Sequence, residues 1–129
     1  MNKNLVNSIG TNDVDNLIAK LFPAAEAFGV TIRKGSAEKT YKRGTVLAMS
    51  SKDGEMVILG TSAGSGETLT ANCVLADDVT VGTAAGATAV AYRSGNFNRA
   101  ALIVADSYTM TTADEDALRT RDIILTDVM

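Results

Sequence analysis

The residues in this chain with chemistry to offer are carboxylates and a single thiol. Asp77 and Asp78 are adjacent, Asp106 stands alone, and Asp114, Glu115 and Asp116 form a run. Grouped carboxylates are what a hard divalent cation binds, and such a cation could support hydrolysis. Local structure offers each of them another role. Asp77-Asp78 follows an apolar run, and adjacent side chains on a strand point to opposite faces, so a turn or cap role fits better than a shared site. Thr112-Ala113-Asp114-Glu115 reads as a capping box, with Thr112 as N-cap and Glu115 at N3. Arg119 and Arg121 then complement the helix dipole at the far end. Cys73 is the only cysteine, which excludes an internal disulfide, and with no base near it in sequence it reads as a small core residue. There is no histidine. That removes Ser–His–Asp and Cys–His catalysis, the usual zinc sites and the ordinary proton shuttle at neutral pH. No cofactor is expected.

Two other motifs imitate binding sites. Gly60 to Gly66 (GTSAGSG) has the small residues of a phosphate loop but lacks the Gly-Lys-Ser/Thr ending, so it reads as a surface loop. Lys52 precedes Asp53-Gly54 at a tight turn, where a biotinyl- or lipoyl-type carrier would present its lysine. A solvated turn lysine is the simpler reading, and an oligomeric β carrier or interaction module is kept as an alternative, ahead of a carboxylate- or metal-dependent enzyme.

The elements that would position these residues are mostly strands. Phe28 to Arg33 alternates and closes at Lys34-Gly35-Ser36. Tyr41 to Gly44 is a turn into a strand over Thr45–Met49, and Asp53-Gly54 turns the chain into a third over Glu55–Leu59. Ala71 to Ala76 is a buried strand, and Val79 to Ala87 is a loop or irregular strand. Thr88 to Ser94 alternates again, with Val90 and Tyr92 on one side and Ala89 and Ala91 on the other. Ser94-Gly95-Asn96 should break that strand. Phe97, Ala101 and Leu102 then suggest a short helical turn capped by Asn96 or Asn98. Asp122 ends the C-terminal helix, and Ile123-Ile124-Leu125 is a last strand. Near the N-terminus Val14, Leu17, Ile18 and Leu21 follow one helical stripe, which predicts an amphipathic helix over Asn12–Leu21 that ends before Pro23.

The 129 residues suit one domain, and 46% hydrophobic with 21% charged residues place it among globular chains. Aromatics are only 5%, so the core must be built from small and β-branched side chains. A net charge of −3 and a pI near 4.8 argue against nucleic acid as a direct partner. All lysines lie between Lys3 and Lys52, while from Glu67 onward nine acids face four arginines. No run is long enough for a membrane span and no signal pattern opens the chain, so synthesis in a cytoplasm is expected.

The order of the motifs carries a resemblance. Thr31 to Gly35 comes first, then Lys42-Arg43-Gly44-Thr45-Val46-Leu47, Cys73 to Val79, and Ala89-Val90-Ala91-Tyr92-Arg93-Ser94-Gly95-Asn96-Phe97-Asn98-Arg99-Ala100-Ala101-Leu102. Leu118-Arg119 and Ile123-Ile124-Leu125 close the series. Over about residues 28–125 this resembles the lambda-type head decoration proteins of tailed bacteriophages. The resemblance implies a mainly β, β-clip-like fold with short helices, as one compact α+β domain over 28–129 behind an N-terminal arm over 1–27. It implies a homotrimer that binds the major capsid protein of the expanded head and cements it against DNA pressure. The protein would then sit on the outer surface of the virion after assembly in the host cytoplasm. It further implies an arm that orders by strand pairing with capsid subunits, for which Leu17, Ile18, Leu21, Phe22, Val30 and Ile32 are the candidate contacts. Neither a catalytic role nor a membrane partner is expected.

Overall fold

The structure is a computed structural model that describes residues 16–127. Among these described residues are nine strands: β1 Ile18–Lys20, β2 Glu26–Ile32, β3 Lys39–Tyr41, β4 Val46–Ser50, β5 Met56–Ile58, β6 Leu69–Leu75, β7 Val79–Val81, β8 Ala87–Asn98 and β9 Ile123–Thr126. A 3₁₀ turn covers Arg99–Ala101 and one α-helix, α1, covers Thr112–Arg119. The domain is therefore mainly β with short helices. β8, β2, β5, β4 and β6 are neighbours in that order, and β6 pairs back onto β8 through Val74 and Leu75, closing a small barrel. β3 and β7 form a separate ribbon.

β8 differs from its sequence-based reading. Ser94-Gly95-Asn96 bends the strand without ending it, so Phe97 is a strand residue, and the helical turn starts only after Asn98. Asn98 caps that turn by accepting from the Ala100 N–H. Gly95 makes the bend possible. Its φ is +146°, and a Cβ there would lie 2.7 Å from the Phe97 ring. Ala89 and Ala91 form the buried side of the strand, and Val90 is exposed.

The core has two parts, because β4 and β6 are buried on both faces. Leu17, Val46, Ala48, Ala71, Val74, Phe97, Leu118 and Ile123 pack together under α1. Ile32, Leu47, Met56, Cys73, Leu75 and Ala91 fill the other side. The helix supplies Leu118, fully buried, and its capping box is formed by Thr111 and Asp114, one residue earlier than the pattern suggested. Phe97, also fully buried, stacks against Tyr92 with ring centroids 5.4 Å apart. Truncation of Phe97 to Ala should cost about 3–5 kcal/mol, read as a lower denaturation midpoint at unchanged slope.

The expected helix over Asn12–Leu21 is corrected where it can be seen. Residues 12–15 lie outside the described residues, and Ile18–Lys20 is a strand. Leu17, 2% exposed, belongs to the core, and its carbonyl accepts from the Asn98 N–H at 2.7 Å. Its helical spacing from Leu21 therefore reflects a buried position followed by a strand. The sheet thus begins ahead of Phe28, inside the stretch read as arm.

Candidate functional site

Four of the six candidate carboxylates, Asp78, Asp114, Glu115 and Asp116, hold structural roles. Asp78 accepts from the Arg43 N–H at 2.7 Å and fixes the turn before β4. Asp114 closes the helix cap and accepts from the Tyr108 hydroxyl. Asp116 pairs with Arg119 at 2.5 Å, and Glu115 pairs with Arg99, which also reaches Asp127 at 2.8 Å. Among the described residues no three His, Cys, Asp or Glu side chains gather as metal ligands. Burial pushes the Cys73 thiol up to about 12, so it stays protonated.

Sequence reasoning missed Glu67, whose side chain is only 4% exposed. It accepts from Arg33 at 2.7 Å, from the Ser50 hydroxyl, and from the Gly64 N–H at 2.9 Å. The glycine loop therefore cradles this carboxylate, and Asp53, at 3.2 Å from Arg33, ties the hairpin tip next to Lys52 into the same network. Those hydrogen bonds, that from Arg33 foremost, hold the Glu67 carboxyl at about 2, below its ordinary 4.5. A depressed carboxyl stabilises the fold above its unfolded value, and that stabilisation is lost as pH falls from about 4.5 toward 2. Wild type should therefore lose more Tm across that window than Glu67→Gln; parallel melting curves with pH would disprove the assignment.

What remains is a surface. β1 pairs antiparallel with β8 as Ile18 opposite Phe97 and Lys20 opposite Asn96; β2 resumes in the same direction with Glu26 opposite Ser94. Leu21 to Ala25 thus fill a gap in which β8 advances by one residue, Gly95. Five residues cannot lie flat against one, so they loop outward. Both ends are pinned: the Asn96 side chain donates to the Phe22 carbonyl at 3.2 Å, and the Ser94 hydroxyl donates to the Ala24 carbonyl at 2.8 Å. Leu21 is 90% and Phe22 85% exposed, against 37–43% for the other large apolar residues at the surface. Of the candidate contacts, Leu21 and Phe22 project together, Ile18 is partly exposed beside them, and Leu17, Val30 and Ile32 are buried in the domain.

The second backbone edge of β2 is occupied at one end and, among the described residues, free along the rest. The Arg33 N–H donates to the Met56 carbonyl and Ile32 pairs with Met56, so that end is occupied. From Glu26 to Val30 the second edge of β2 has no strand partner among the described residues.

The domain is thus a small β barrel that displays a pinned apolar loop and gathers no metal-ligand cluster among the described residues. The chain matches the bacteriophage lambda head decoration protein D family over residues 10–123, nearly its whole length, and belongs to that family. It is a phage head decoration protein, a component of the virion capsid. A search of curated proteins gave no match. No helix among the described residues is long and apolar enough to cross a membrane.

Proposed function

We propose that this protein is a cementing subunit that binds the expanded phage head as a homotrimer and stabilises it against internal DNA pressure, acting through buried area and without catalysis. The observation that carries the attachment site is the Leu21–Phe22 loop. Two large apolar side chains stand in water on a backbone held at both ends, so little ordering entropy is left to lose on docking. Burying each is worth about 1.5–3 kcal/mol. A trimer would present three such loops, and once the first is seated, the others bind at high effective concentration. In this reading the N-terminal arm adds strand pairing to the capsid subunits and extends the same contact. Its major capsid protein partner, its assembly in the host cytoplasm and the lack of a direct nucleic-acid partner belong to the same proposal; the negative net charge supports the last.

The test uses purified expanded heads and the full-length chain. Leu21→Ser with Phe22→Ser should leave Tm unchanged, because neither side chain packs in the core, and should weaken binding about 100-fold per subunit. A shortened chain beginning at Asn16 should keep its melting temperature and also lose affinity. Undiminished saturation of heads by both variants would overturn the docking assignment.

A further inference from the structure

β6 contains an extra residue. Leu47 of β4 stands opposite Cys73 and Ala48 opposite Ala71, so one step on β4 matches two on β6, and the residue left over is Asn72. The slip changes the side-chain phase: Ala71 and Val74 face the core under α1, while Cys73 and Leu75 face the other. Such a bulge re-aims a side chain.

Asn72 is 4% exposed, yet its amide has little protein to pair with. Among the described residues one end reaches only the Met49 sulfur, at 3.9 Å, and the other end has no partner. Such an amide is left for a bound molecule to pair. Asn72 lines a cavity of about 690 Å³, a size typical of ligand sites, between the outward loop (Pro23, Ala24) and the end of α1 (Thr120, Arg121). Arg93 on its rim is engaged by Glu26 at 3.3 Å, whereas Arg121 and Asp122 have no ion-pair partner among the described residues.

We propose that this cavity receives an extended segment of the capsid shell protein, whose main-chain amide exchanges two hydrogen bonds with the Asn72 side chain. The inference rests on the attachment reading above. The chemistry favours a peptide over a simple ion, because a primary amide needs one donor and one acceptor and a peptide group supplies both. A free anion would satisfy only the N–H end, and a rim carrying both Arg121 and Asp122 suits a chain of mixed polarity. Continuity selects the shell as source: Pro23 and Ala24 wall the cavity and directly follow Leu21 and Phe22, so a segment that covers those two side chains runs on into it.

The experiment compares full-length wild type, Asn72→Leu and Arg121→Glu for melting temperature, sedimentation of the free protein and binding to expanded heads. Asn72→Leu removes an unpaired buried amide, so it should melt no lower than wild type while binding heads about tenfold more weakly. Arg121→Glu, on the exposed rim, should weaken binding at unchanged Tm. Wild-type affinity in both variants would overturn the proposal. So would a lowered melting temperature for Asn72→Leu with normal binding by Arg121→Glu, since the amide would then serve the fold alone. A change in sedimentation without a change in head binding would assign the cavity to a second copy of this chain and would equally overturn it. Failure of wild type to bind heads would instead refute the attachment reading itself.

Discussion

The backbone of β8 has to serve four neighbours with two edges. Toward its start it pairs with β2 and β6, and toward its end with β1 and β9. One strand can satisfy such a set only by handing over its partners along its length, which requires a change of direction between the two pairs. Gly95 is where that change falls. Its backbone conformation is closed to most side chains, and its missing Cβ leaves the Phe97 ring room to turn back into the core. The ring then packs with Leu17, Val46, Val74, Leu118 and Ile123, residues drawn from five other parts of the chain. A bend in one strand therefore decides how the N-terminal segment, the barrel and the helix meet.

The two features on which the proposed attachment rests are consequences of that handover. At Gly95 the incoming chain has five residues to place against one, and the surplus becomes the Leu21–Phe22 loop. Across the cavity, β6 joins β8 at Val74 and Leu75, and the residue two places before that junction, Asn72, is the bulged one. Mismatched strand lengths are usually absorbed by turning polar backbone to water. Here they leave two apolar side chains outside and one amide inside, the reverse of what the isolated domain would favour. Both exceptions lie on the same side of the bend, joined by Pro23 and Ala24.

The strands with clean alternation or continuous apolar runs were legible in the sequence: Phe28 to Ile32, Val46 to Met49, Ala71 to Leu75 and Ile123 to Leu125 all pair where the pattern put them. Local rules misled where tertiary packing overrode them. Leu17, Ile18 and Leu21 satisfy a helical spacing, yet Leu17 is held by the core and Ile18 by β8, and no one-dimensional period distinguishes that from an amphipathic helix. Ser94-Gly95-Asn96 has the composition of a turn, but the partners on both sides keep it in the ladder. Lys39–Tyr41 forms a strand only because Val79–Val81 lies opposite. Within the site, the exposure of Leu21 and Phe22 and the burial of Asn72 both depend on strand register, which sets Lys20 opposite Asn96 and Leu47 opposite Cys73 and leaves no local trace. Glu67 was silent for the same reason, since Arg33 and Ser50 reach it from elsewhere in the chain.

The arginines show how a barrel with few aromatics is made stiff enough to be a docking platform. Arg33 clamps Glu67 and Asp53, Arg99 ties the 3₁₀ turn to α1 and the C-terminal end, and Arg43 donates to the Ala76 carbonyl and the Tyr92 hydroxyl with its guanidinium 5.3 Å from the Tyr92 ring. Each joins elements distant in sequence through a planar fork, which loses less freedom per hydrogen bond than an ammonium would. Exposed ion pairs of this kind contribute little to stability one at a time. Their effect is on the freedom of the loops they join. A docking surface gains affinity to the extent that it is already ordered before contact, so these ion pairs favour attachment by removing motion that binding would otherwise have to freeze.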